Sequence, residues 1–268
     1  AILRYKPKII VVADVSFNIT IIAKSLSKTV VAMQTGHADE FILFVPLLAD
    51  AITVEGDYWK EYLLIKKAVN PDKVWVTGVL PRLPNFDFKK YERSTSLPER
   101  SKKIVVFAST YSSPALGMLE YERIEQIYAI YNAMKNIKDS HLIVKLHVHD
   151  NDLNTYKRIA KETGLSDYSI VKNEDMLSLL ENCDLLVTHF SGCSYEAILM
   201  GKNVILTSYS SDFNFDDIWD YRRYGVVIAV DNLKDLECHI RKALFNPETT
   251  TRLKINRGKY IFDHAYKM

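Results

Sequence analysis

The sequence predicts an α/β protein made of two parallel-sheet units joined by a proline-rich linker. Three observations carry this. Short β-rich apolar runs alternate with amphipathic stretches along most of the chain. The alternation breaks over residues 79–102 (VLPRLPNFDFKKYERSTSLPERSK), where three prolines and a charge cluster interrupt any period. The 268 residues are 48% hydrophobic, which supplies material for two cores.

In the first unit, Lys8 to Ala13 (KIIVVA) reads as a buried strand and Phe17 to Leu26 as a helix. Thr29 to Gln34 is the next strand and Ala51 to Val54 a third. A helix over Tyr58 to Ala68 and a strand at Val74 to Thr77 follow. In the second unit, Lys103 to Ala108 (KIVVFA) opens the sheet. Apolar residues at Ile124, Ile127, Tyr128, Tyr131 and Met134 mark one helical face. Strands are expected at Leu142 to Leu146, Ser169 to Val171, Leu185 to Thr188, Val204 to Thr207 and Val226 to Val230. Helices are expected near Leu153 to Glu162, Met176 to Asn182, Tyr195 to Met200 and Leu233 to Phe245. The second unit reads as complete. The first, with about four strands, reads as cut short at its start. The expected division is 1–90 for the first unit, 91–102 for the linker, 103–255 for the second unit and 256–268 for a tail.

The net charge of +2 gives no support for a nucleic-acid partner. Cys183, Cys193 and Cys238 are an odd number without C-x-x-C spacing, which argues against a disulfide framework or zinc cluster and for a reducing, cytoplasmic compartment. No apolar run reaches the ~18 residues of a membrane span. The start, AILRYKPK, has no initiator Met and no signal-peptide pattern, as expected of a piece of a longer protein.

Ligands of open parallel sheets bind beyond the carboxyl ends of the strands, so polar residues just after each strand carry the functional reading. After Leu185–Val187 come Thr188, His189, Ser191, Gly192, Cys193 and Ser194, then Glu196 in the first turn of a helix. Such a loop can cradle an anion on free N–H groups, with Glu196 accepting from ribose hydroxyls. It can equally be an ordinary capped helix. No Walker pattern or G-x-G-x-x-G is present. Strand alternation would put Lys145, His147 and His149 on one side at the end of Leu142–Val144. His147 and His149 with Asp150 could hold a metal, but phosphate binding is preferred. Gly36-His37, after TVVAMQ, presents either a general base or a histidine satisfied in a turn. Asp14 and Glu55 follow two other strands and either bind an acceptor hydroxyl or cap helices. Ser109 and Thr110, in the hydroxyl cluster Ser109-Thr110-Tyr111-Ser112-Ser113, either contact a diphosphate or form a plain loop. The aromatic stretch Phe213 to Tyr224 reads as packing against the sheet.

Taken in order, four passages resemble the GT-B superfamily of nucleotide-sugar enzymes: LLADAITVEGDYWKEYLL…VWVTG, KKIVVFAST, LIVKLHVHDN and CDLLVTHFSGCSYEAILMGKNVIL. The last looks like the superfamily signature S-G-x-x-x-E-A-x-x-x-G-K-x-V-I. Within the superfamily the likeness is to surface-polysaccharide transferases, CDP-glycerol glycerophosphotransferases and UDP-N-acetylglucosamine 2-epimerases. The resemblance implies two facing Rossmann-like domains with the donor nucleotide mainly on the second. It implies diphosphate contacts from Ser191, Gly192 and Ser194, a ribose contact from Glu196, and Lys145 and His147 near the donor phosphates. It implies His37 as base toward a hydroxyl acceptor, glycan or lipid-linked, and no metal or other cofactor. The paired acidic residues of the epimerase pattern reduce here to Glu196, which favours transfer over epimerisation. A role at the inner face of the membrane, with peripheral attachment or self-association, is compatible with this group. A non-catalytic nucleotide-sugar-binding domain is the remaining alternative.

Overall fold

The computed structural model describes residues 2–13, 17–33, 48–54, 56–77, 102–112, 118–189, 191–207 and 221–265. By contact, the chain divides into one unit of Ala1–Phe86 with Gly258–Met268 and a second of Asp87–Arg257. The linker residues up to Ser101 lie outside the described residues.

The first unit contains α1 (Ile2–Tyr5), β1 (Ile9–Ala13), α2 (Phe17–Ser25), β2 (Thr29–Met33), β3 (Ala51–Val54), α3 (Asp57–Lys67) and β4 (Val74–Val76). Its four strands pair in parallel in the order β1-β2-β3-β4. Strands and helices fall where the apolar pattern puts them, because alternate strand residues such as Val30, Ala32, Ile52 and Val54 are buried. Asp50 ties the entry of β2 to α2: it accepts from the Val30 N–H at 2.8 Å and pairs with Lys24 at 2.5 Å.

The second unit contains β5 (Lys103–Ala108), α4 (Glu120–Lys135), β6 (Ser140–Lys145), α5 (Leu153–Thr163), β7 (Tyr168–Val171), α6 (Met176–Asn182), β8 (Leu185–Thr188), α7 (Cys193–Leu199), β9 (Asn203–Thr207), α8 (Tyr221–Tyr224), β10 (Ile228–Val230), α9 (Leu236–Phe245) and the first part of α10 (Pro247–Ala265). Six parallel strands, one at each of the six runs read as strands, pair in the order β10-β9-β8-β5-β6-β7. Central strands are buried on both faces, which is why KIVVFA and LLVT read as continuous apolar runs. One face packs Val105, Phe107, Leu142 and Val144 against Ile127 and Tyr131 of α4 and Ile159 of α5. Side-chain caps start the helices: Asp152 accepts from the Thr155 N–H and Asp175 from the Ser178 N–H.

Helix α10 lies outside the elements that the apolar pattern predicts, and it takes up the tail expected over 256–268 as far as Ala265. Its buried positions Leu253, Arg257 and Tyr260 follow helical spacing. The middle one is an arginine, so the apolar period is broken in the sequence. Arg257 is accommodated because its guanidinium donates to the Lys202 carbonyl at 3.1 Å and to Asn203 Oδ1 at 3.0 Å.

Candidate functional site

The strand order of the second unit reverses at β5: the chain runs outward through β6 and β7, then returns to fill β8, β9 and β10 on the other side. Such a reversal opens a crevice beyond the carboxyl ends of the two strands that flank it. The register makes those ends level, with Ala108 opposite both Lys145 and Thr188. The loops after β5, β6 and β8 therefore leave the sheet side by side.

The loops after β5 and β6 are cross-linked. Ser109 N–H donates to the Lys145 carbonyl at 2.9 Å, and His147 N–H donates to the Ser109 hydroxyl at 3.1 Å. Strand β6 ends at Lys145, and a turn follows in which Asp150 N–H donates to the His147 carbonyl at 2.9 Å. This corrects the expectation from alternation. His147 and His149 come together, ring centroids 5.3 Å apart, because the chain turns, not because a strand continues. Tyr111 packs on both, 4.6 Å from the His147 ring and 5.4 Å from the His149 ring.

The turn also sets the chemistry of His147. His149 N–H donates to His147 Nδ1 at 3.2 Å, so Nδ1 carries a lone pair and Nε2 the proton. Burial, followed by the charges of His149 and Lys145, holds the His147 pKa below the ordinary histidine value. His147 is thus a neutral imidazole with an Nε2–H to donate. Lys145 spends two donors on backbone, at 2.6 Å to the Lys172 carbonyl and 3.3 Å to the Leu146 carbonyl. Burial lowers its pKa. Asp150 is buried and accepts from Tyr156 at 2.6 Å and Arg123 at 3.4 Å, so its carboxylate is already paired. Among the described residues no group of three potential metal ligands forms.

After β8 the loop enters α7 with Gly192 as the first half-helical residue. Ser191 and Gly192 are partly exposed, and the Ser191 hydroxyl accepts weakly from Cys193 N–H at 3.4 Å. Two expected contacts are corrected. Ser194 is 1% exposed, and both its N–H and its hydroxyl donate to the Ser191 carbonyl, at 3.0 and 2.7 Å. It therefore closes the helix start and offers neither group to a ligand. His189 is 2% exposed with Nδ1 bonded to the Thr207 carbonyl, so its ring joins the sheet ends instead of facing solvent. Burial lowers its pKa. Cys193 is buried too, its thiol pushed up to about 12 by desolvation, so only its backbone can serve a ligand. Glu196 is partly exposed one turn into α7. Tyr221, from the aromatic stretch, is buried with its hydroxyl 3.5 Å from Ser194 Oγ. Asp14, Gly36, His37 and Glu55 lie outside the described residues.

No family model matches the chain, and no curated protein does. Solved structures do. A UDP-GlcNAc 2-epimerase from Neisseria meningitidis bound to UDP-GlcNAc is 16% identical, with 97% of this chain and 76% of that one covered at a TM-score of 0.69. The kitacinnamycin glycotransferase is 12% identical, with 99% and 75% covered at 0.65. Sucrose-phosphate synthase from Thermosynechococcus elongatus is 16% identical, with 98% and 71% covered at 0.56.

The fold is GT-B.

At these identities the likeness is one of fold. Within that GT-B fold, the signature after β8 separates into structural and presented residues. Gly201 adopts φ +74° at the end of α7, with its N–H on the Ile198 carbonyl and Lys202 N–H on the Ala197 carbonyl, a Schellman closure. The Lys202 ammonium donates to the Glu181 and Cys183 carbonyls at 2.6 and 3.2 Å, capping the end of α6. Val204 and Ile205 are buried in β9. At the start of α7, Ser191, Gly192 and Glu196 of the signature keep exposed surface. Tyr111 stands in the hydroxyl cluster, and its place three residues past Ala108 at the strand end is its sequence signal.

Proposed function

We propose that the second unit holds the diphosphate of a nucleotide-activated sugar or polyol across the carboxyl ends of β5, β6 and β8. The chain then transfers a glycosyl or polyol-phosphate unit from that donor to a hydroxyl acceptor, glycan or lipid-linked, in surface-polysaccharide or glycoconjugate synthesis. The observation that supports this most is the Ser109–His147 cross-link, which holds the neutral His147 imidazole at the switch point of the sheet, where the loop entering α7 also leaves.

In this reading His147 Nε2–H, the Ser191 hydroxyl and the N–H groups of Gly192 and Cys193 donate to phosphate oxygens. They stabilise the charge that builds on the leaving diphosphate. Lys145 adds positive charge, Thr110 a hydroxyl, and Glu196 accepts from the ribose. His37 removes the acceptor proton, with Asp14, Gly36 and Glu55 on the acceptor side. The reading asks for no metal and no cofactor beyond the donor itself.

Epimerisation is the second reading, favoured by the UDP-GlcNAc 2-epimerases among the fold neighbours. Incubation with UDP-N-acetylglucosamine alone separates the two, because an epimerase needs no acceptor. UDP-N-acetylmannosamine in the product overturns the transferase reading. Nucleotide-sugar binding with no turnover toward any acceptor supports a non-catalytic binding domain instead.

A further inference from the structure

We infer that Arg123 of α4 is a positioning residue for the site proposed above, holding the His147–Asp152 loop in its donor-facing shape from underneath. The inference rests on that reading for its ligand, but its geometry stands on its own.

Arg123 has 5% of its side chain exposed and binds three carboxylates. Nε and Nη2 take both oxygens of Glu120 at 2.9 and 2.6 Å. Nη2 also reaches Asp152 at 3.1 Å, and Nη1 reaches Asp150 at 3.4 Å and the Tyr156 hydroxyl at 3.3 Å. Tyr156, fully buried, donates to Asp150 at 2.6 Å. The Asp150 N–H in turn donates to the His147 carbonyl at 2.9 Å. A chain of polar contacts thus runs from Arg123 and Tyr156 through Asp150 to the backbone of His147.

The same cluster clamps the far end of the loop. Asp152 N–H donates to Asp150 Oδ1 at 3.0 Å while Asp152 caps α5. Arg123 therefore fixes both the start and the end of the segment that carries His147 and His149. Its charge matters as well. Without it, Glu120, Asp150 and Asp152 would put three uncompensated negative charges beneath a loop assigned to an anion. A buried fork is needed because one guanidinium can serve three acceptors in fixed directions, which a lysine cannot.

The test uses the whole chain with ring-labelled histidine, comparing wild type with Arg123→Gln and Tyr156→Phe. The His147 ring signal is assigned from its loss in His147→Gln. The readouts are the ring nitrogen shifts without ligand and the Kd for UDP. The inference predicts one Nε2–H tautomer in the wild type, a mixed or exchanging ring in both variants, and UDP affinity weakened about tenfold or more in Arg123→Gln, as expected when a binding group loses its support. A merely structural role would lower thermal stability and leave the tautomer and the UDP affinity unchanged; that result overturns it. If Arg123→Gln does not fold, Tyr156→Phe, which removes one hydroxyl, decides alone. If the wild type does not bind UDP, the donor reading fails for that nucleotide, and the tautomer readout still decides the role of Arg123.

Discussion

His147 donates its backbone N–H to the Ser109 hydroxyl at 3.1 Å, joining two loops that leave neighbouring strands of one parallel sheet. The contact is part-buried, so the acceptor cannot simply be replaced by water. Ser109→Ala should lower stability by about 1–3 kcal/mol through the unpaired N–H. Urea unfolding measures this. The same variant should weaken binding of nucleoside diphosphates, read by calorimetry.

The signature after β8 is predicted to split in function. In Gly201→Ala an added Cβ meets nothing within 4 Å, so the strain is that of φ +74° alone. The expected cost is roughly 1–2 kcal/mol. Lys202→Met leaves the carbonyls of Glu181 and Cys183 without that donor and should cost about 1 kcal/mol. Neither change should alter UDP affinity, whereas Ser191→Ala should weaken affinity with little loss of stability. Paired melting and binding curves check the division.

Native thiol chemistry should find one of the three cysteines. Cys238 is exposed, while Cys183 and Cys193 are buried with thiols pushed up to about 12 by desolvation. Titration with a chromogenic disulfide at pH 8 should release one equivalent rapidly, and three after denaturation.

Stability should fall in two steps on acidification. His147 and His189 have folded pKa values lowered by burial, below the ordinary 6.5. The unfolded state then binds more protons, so their contribution is whole above about pH 6.5 and is lost as pH falls through the folded values. Asp50, Glu120 and Asp152 are depressed below 3.8, 4.5 and 3.8, by hydrogen bonds from Lys24, Arg123 and Thr155 respectively. Their contribution is whole above about pH 4.5 and lost below it. Urea midpoints between pH 8 and pH 3 should show both legs. His189→Gln should shrink the first and leave the second.

The sheet and helices of both units were readable because parallel strands are buried on both faces and helices on one. KIVVFA and the face through Ile127 and Tyr131 carry those patterns openly. Helix α10 was not readable, since Arg257 occupies a buried position of its stripe. In the site, the loops were legible from their places after strands. The directions of their side chains were not. Ser194, His189 and Lys145 are polar residues in the expected segments, yet their donors go to the Ser191, Thr207 and Lys172 carbonyls. Arg123 has no local sequence signal because it lies on a helix, and only folding brings Asp150 and Tyr156 to it.

The measurement that bears most directly on the donor site is an amide chemical-shift map of the labelled chain titrated with UDP, with GDP and CDP in parallel. The account predicts that one of them saturates and that the largest shifts fall on Ser109–Tyr111, His147–His149 and Ser191–Cys193, the three loops at the switch point. Saturable shifts centred on other residues, or none with any of the three nucleotides, would contradict it.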